Sequence, residues 1–175
     1  MSDIGSEPES LHEPEVVDEV ARVHDCPAVV DRGQEIVHVP RDRYVEVAKA
    51  LLDDGYSLCV DVTAVDYLEH PQRPLPAGIE AERFEVVVNL IDLENRRRTR
   101  LRVQISDDEA NIPSLFDLHP GTEAHEREVY DMFGIVFDGH PDLTRILMPE
   151  DWVGHPLRKD YDVGHIPVQF KEANA

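Results

Sequence analysis

The stretch EREVYDMFGIVFDGHPDLTRILMPEDWVGHPLRKDY, Glu126 to Tyr161, decides how the rest of this chain is read. It opens with helix-like spacing of Val129, Tyr130, Met132 and Phe133, and Gly134 supplies a stop. The triplet Gly-His-Pro then occurs twice, at Gly139-His140-Pro141 and Gly154-His155-Pro156, with Pro149 and Pro167 as further breaks. That spacing forbids long helices and central strands. Yet Leu143, Ile146, Leu147, Met148, Trp152, Leu157 and Tyr161 are too apolar for a free tail. The stretch therefore reads as an extended strap that wraps a partner, to which Arg145, Arg158 and Lys159 offer fixed charges.

Within the helix, Arg127 and Asp131 stand at i, i+4 and are expected to pair. A general-base role for Glu128 or Asp131 would need a nucleophile or metal set, and none accompanies them. His119, His125, His140, His155 and His165 crowd the last third without the His-x-x-x-His pair of a helical zinc site. Histidines locked into Gly-His-Pro turns are expected to bond backbone groups.

Upstream the chain reads as an ordinary domain. Residues 1–13 are acidic, without Lys or Arg, and are read as a disordered lead-in. A short helix is expected from Pro14 to just before Pro27. Ala28–Asp31 and Glu35–Val39 flank Arg32-Gly33-Gln34 as a hairpin. Tyr44, Val47, Ala48, Leu51 and Leu52 then recur at helical spacing before Gly55. Tyr56–Leu68 predicts a long strand in which Leu58, Val60, Val62 and Ala64 share the buried face. A Pro-rich loop separates it from two strands, Arg83–Leu93 and Arg98–Ile105, joined near Glu94-Asn95-Arg96. The second carries Arg96, Arg97, Arg98, Arg100 and Arg102, read as a protected edge or solvated face, with a partner contact as the functional reading. Ser106-Asp107-Asp108-Glu109 predicts a short helix over Asn111–Leu118, and Thr122 is expected to cap the helix ending at Phe133.

Hairpins with few parallel crossovers imply an α+β two-layer sandwich with a mainly antiparallel or mixed sheet and an extended C-terminal strap. The divisions are a lead-in at 1–13, an α+β domain at 14–134 and a partner-docking segment at 135–175. A formal net charge of -20 in 175 residues argues against nucleic acid and direct adhesion to anionic lipid. Two cysteines, Cys26 and Cys59, cannot supply the four soft ligands of an iron-sulfur or structural zinc site, and read as buried free thiols. No apolar run approaches the roughly 20 residues of a membrane span.

The quoted stretch, about a fifth of the chain, resembles the C subunit of the proton-translocating NADH:quinone oxidoreductase, respiratory complex I, a family shared with related membrane-bound hydrogenases. The resemblance implies a peripheral-arm accessory subunit with no cofactor, metal or catalytic residue of its own. It would lie beside the subunits of the terminal iron-sulfur cluster and quinone site, with iron-sulfur clusters, flavin and quinone on partner subunits. It would touch the cytoplasmic face of the cell membrane only through those partners. The equivalent subunit of a membrane-bound hydrogenase or ferredoxin-linked complex is the alternative. Glu126, Arg127, Glu128, Asp131, Phe133, Gly134, Gly139, His140, Pro141, Arg145, Gly154, His155, Pro156, Arg158, Lys159, Asp160 and Tyr161 match the family's motif and are carried over as fold and docking residues. Trp152 joins them as a docking residue. Asp162 stands where the family often has Pro, and His125 where an aromatic or acidic residue is common.

Overall fold

Phe84–Asp92 is a strand whose first five residues are all buried, so neither face of that half of the strand is open to water. Around it a computed structural model describes residues 21–162. In chain order the elements are β1 (Arg22–Val23), β2 (Cys26–Asp31), β3 (Gln34–His38), α1 (Tyr44–Asp53), β4 (Leu58–Asp66), β5 (Phe84–Asp92), β6 (Arg97–Ile105), β7 (Asn111–Pro113), α2 (Glu123–Phe133) and β8 (Val136–Asp138). One sheet has the order β1-β2-β3-β6-β5-β4, with β3 and β6 parallel and the other neighbours antiparallel. β7 and β8 form a small parallel pair. The architecture is the expected α+β fold with a mixed sheet.

Phe84, Val86, Val88 and Leu90 of β5 and Leu101, Val103 and Ile105 of β6 belong to one core with the buried sides of both helices. α1 contributes Tyr44, Val47, Ala48 and Leu51; α2 contributes Val129, Met132 and Phe133 and packs on β4. Each Val, Leu, Ile, Met or Phe among them stabilises the fold by about 1.5–3 kcal/mol when fully buried. Of the opposite face, one half is closed by the loop after β4. There Arg73 stacks 3.7 Å from the Tyr67 ring centroid and donates to the Glu82 carbonyl at 3.0 Å, above the buried carboxylate of Glu85.

The β2–β3 hairpin, α1 and the β5–β6 hairpin form as the sequence predicts. In the β5–β6 loop, Asp92 accepts from the Asn95 N–H at 3.0 Å and from Arg97 at 2.6 Å, which holds its carboxyl down at about 2. Both thiols are buried and free, and desolvation pushes Cys59 up to about 11.

Four expectations are corrected. Residues 22–26 are not helical: β1 turns back on β2 through His24 and Asp25, at φ 46° and 61°, while residues 14–20, like the lead-in and His165, lie outside the described residues. β4 does not keep one face along its length. Its pairing with β5 slips between Cys59 and Asp61, a bulge that puts Cys59 in the core and leaves Leu58 and Val60 exposed. β6 is no edge, because β3 pairs alongside it, so its arginines lie across an interior strand. Asn111–Leu118 holds no helix: Asn111–Pro113 is strand β7, paired to a segment 25 residues further on that local periodicity does not reveal. Residues 135–138, which the sequence assigns to the docking segment, sit within this fold, with Ile135 and Phe137 in the core.

Candidate docking site

The last turn of an α-helix leaves four carbonyls without helical partners. At the end of α2 the folded-back strap supplies most of the missing donors. Tyr130 O accepts from Gly134 N–H at 2.9 Å, Asp131 O from His155 Nδ1–H at 2.9 Å, Met132 O from Leu157 N–H at 3.0 Å, and Phe133 O from Arg158 at 3.5 Å. Arg145 and Arg158 also bring positive charge to the negative end of the helix dipole.

Asp131 organises the strap's first half. Its side chain is wholly buried, and Oδ2 accepts the N–H groups of Ile146, Leu147 and Met148 at 3.0, 2.8 and 2.8 Å. Oδ1 pairs with Arg145 at 2.6 Å, and Arg145 donates onward to the Gly154 carbonyl at 2.9 Å. Burial alone would raise this carboxyl; the N–H groups of Met148 and Leu147, the Arg145 guanidinium and the Ile146 N–H outweigh it and hold it below its ordinary value. The expected Arg127–Asp131 pair is therefore absent. Arg127 instead reaches Glu123 at 3.4 Å and the hydroxyl and carbonyl of Thr144 at 2.9 and 3.1 Å, clasping the strap from the other side.

Glycine is required twice. Gly134 stands at φ 76°, and a Cβ there would lie 2.7 Å from the His155 ring; Gly154 stands at φ 88°, where a Cβ would lie 2.8 Å from Tyr161. The turn histidines bond backbone as predicted. His140 donates from Nε2 to the Glu123 carbonyl at 3.0 Å and accepts the Asp142 N–H at Nδ1, so its tautomer is set. His155 packs edge-on against Tyr130.

The far end of the strap is latched to the sheet. Asp66, at the end of β4, accepts the Lys159 N–H at 2.8 Å and two Arg83 donors at 3.1 and 2.9 Å. Arg83 and Arg158 each pair with both Asp107 and Asp160, above the ring of Phe84. Desolvation opposes ionisation of Asp66, but Arg83 and the N–H groups of Lys159 and Leu68 win and lower its pKa; Arg83 likewise lowers Asp160.

Of the candidate residues, Asp131, Phe133, Gly134, Arg145, His155 and Arg158 are thus joined in one strap-to-helix contact. Glu126 lies apart from it, buried and bonded to the Ser114 hydroxyl and the Leu115 N–H, with burial raising its pKa. Glu128, Pro141 and the Lys159 side chain face solvent; Trp152, Pro156 and Tyr161 are half-buried. Among the described residues no group of three His, Cys, Asp or Glu is placed to hold a metal. Sequence reasoning missed Asp66, Arg83 and Asp107, which are far from the motif in the chain and carry no local signature. Among its acidic residues the folded strap also offers large apolar side chains outward: Leu147 is 60% exposed and Val153 87%, and Ile146 and Leu157 are exposed as well. Apolar side chains on a backbone this firmly held are suited to docking.

Comparison with known proteins follows the same outline. Residues 37–166 match the family described as respiratory-chain NADH dehydrogenase, 30 Kd subunit. The chain is 48% identical over 148 residues to the NADH-quinone oxidoreductase C subunit of Mycolicibacterium gilvum (strain PYR-GCK), covering 83% of this chain and 62% of that protein. It is 46% identical to the corresponding protein of Salinispora arenicola (strain CNS-205), covering 83% and 57%. It thus spans about three fifths of the length of these relatives. The trypsin-resistant fragment of Nqo5 superposes with a TM-score of 0.60 at 35% identity, covering 67% of this chain and 89% of that one. A chain of the membrane-bound sulfane sulfur reductase, an archaeal respiratory membrane complex, does so with a TM-score of 0.61 at 25% identity, covering 84% and 87%.

Proposed function

Because this chain belongs to the family of the respiratory-chain NADH dehydrogenase 30 Kd subunit, we propose that it is a scaffolding subunit of the peripheral arm of NADH:quinone oxidoreductase. In this reading it holds together the subunits that carry the iron-sulfur clusters, the flavin and the quinone site while electrons pass from NADH to quinone and protons are moved. It contributes no catalytic residue and no cofactor. Its place is at the cytoplasmic face of the membrane, reached through partners; among the described residues no helix is long and apolar enough to cross a bilayer.

The observation that carries the proposal is the strap. The Arg145 and Arg158 side chains and the Lys159 N–H turn inward to Asp131, Asp107 and Asp66, while Ile146, Leu147, Val153 and Leu157 are left exposed. Leu147→Asp and Val153→Asp are expected to leave the melting temperature of the isolated chain unchanged and to lower its recovery in the membrane-bound complex about tenfold, a loss of roughly 1.4 kcal/mol. Normal recovery of both variants would overturn the docking role. The similarity to the membrane-bound sulfane sulfur reductase, a respiratory complex not named for NADH, fits in part a second reading, the equivalent subunit of a membrane-bound hydrogenase or ferredoxin-linked complex. The purified assembly distinguishes them: NADH oxidation supports the first, and hydrogen uptake without it supports the second.

A further inference from the structure

β3 and β6 run parallel, so the turns that precede them, at residues 32–33 and 93–96, meet at one end of the sheet. There Arg32, Arg96, Arg97 and Arg98 line a cleft of about 550 Å³ with Tyr56, and Glu35 is the one carboxylate among the lining residues. Arg97 is engaged, by Asp92 at 2.6 Å, by the Asp54 carbonyl at 2.8 Å and by the Tyr56 ring. The guanidinium groups of Arg32, Arg96 and Arg98 have no hydrogen-bond or ion-pair partner among the described residues.

The fold does not ask for these arginines. Arg32 and Arg96 stand at φ 50° and 56°, where Gly or Asn is the less strained choice and an ordinary side chain costs about 1–2 kcal/mol. The cleft continues, through Gln34 and Arg98 which line both parts, into a second of about 430 Å³ on the open half of the sheet. That part is bordered by Val60, Asp61, Asn89, Leu90, Ile91 and Arg100, and Val60 is turned outward by the β4 bulge. The groove therefore has a cationic end and a partly apolar end.

We propose that this groove receives an acidic, extended segment of a neighbouring protein in the assembly. The segment's carboxylates pair with Arg32, Arg96 and Arg98, whose forked donors suit them. An apolar side chain next in line rests on Val60 and Ile91. Three unengaged guanidinium groups in a chain of net charge -20 make a local reversal of sign that excludes basic partners and steers an acidic one. The inference rests on the reading that the chain works inside an assembly, and it adds a second contact away from the strap.

The test uses the full chain in the complex purified from membranes, with a photo-crosslinking side chain at position 32. The expected product, identified by mass spectrometry, joins position 32 to a net-negative stretch of another protein of the complex. The double variant Arg32→Glu, Arg98→Glu is expected to lower retention of that protein about tenfold at physiological ionic strength, with an unchanged melting temperature of the isolated chain. Crosslinks only to lipid, to nothing, or to this chain's own residues 1–20, which hold seven carboxylates and no Lys or Arg, would overturn the proposal while leaving the strap reading intact. Failure of the chain to purify with any complex would overturn the assembly reading itself.

Discussion

Asp131 accepts four strap donors on one carboxylate, so replacing it touches charge and hydrogen bonding together. Asp131→Asn keeps the shape, leaves Arg145 without its counter-ion and turns an amide toward backbone N–H groups. It is expected to lower the stability of the chain by about 3–5 kcal/mol, read by thermal unfolding, because breaking a buried pair strands its other half. A melting temperature equal to wild type would refute this account of the strap. pH separates two classes of carboxylate. Asp131, Asp66 and Asp160 have folded pKa values below the ordinary 3.8, so their stabilisation is present above that value and lost as pH falls through the folded ones. Glu126 has the opposite sign: its folded pKa is raised above 4.5, so its contribution is present below 4.5 and lost as pH rises through the folded value. Glu126→Gln keeps an acceptor for the Leu115 N–H, replaces the oxygen that accepts from the Ser114 hydroxyl with an NH2 at every pH, and is expected to gain stability relative to wild type as pH climbs from 4.5. Parallel stability curves for the two proteins would contradict it.

At the scale of elements, α2 ends where it does because Gly134 can take φ 76°, and the strap can cap it because nothing but hydrogen stands between Gly134 and His155. Gly134→Ala is expected to combine about 1–2 kcal/mol of backbone strain with a clash against the ring. His155→Ala should remove the clash and leave the strain, so a double-mutant cycle on melting should show coupling between the two positions. Additive losses would mean that the close approach is unimportant. Elements were legible in the sequence where the signal was local: the 3.6-residue recurrence of Tyr44, Val47, Ala48 and Leu51, and the Arg32-Gly33 turn. They were not at Asn111–Pro113, whose strand character comes from pairing with β8, or at Val60, where a bulge reversed the alternation.

For the whole molecule, the strap is part of what stabilises the domain. Leu143 and Met148 pack against the core, and the helix caps and the Asp66 latch come from residues beyond 139. A chain ended after Asp138 is expected to unfold several degrees lower than the full chain, a consequence of losing caps worth about 1 kcal/mol each; equal melting temperatures would show instead that the strap is an independent appendage. By itself the sequence determined the α+β class, the two helices and central hairpin, the backbone-bound turn histidines and the family, because each rests on short-range pattern or on a dense motif. Only the tertiary structure decided what the strap's charges face. Arg145 and Arg158 read equally well as partner-facing groups until folding places Asp131 and Asp107 against them. Arg98 reads as an edge charge until β3 arrives beside β6. A charge declares its chemistry in the sequence, but its partner is chosen by distance, and distances between residues far apart in the chain exist only once the chain has folded.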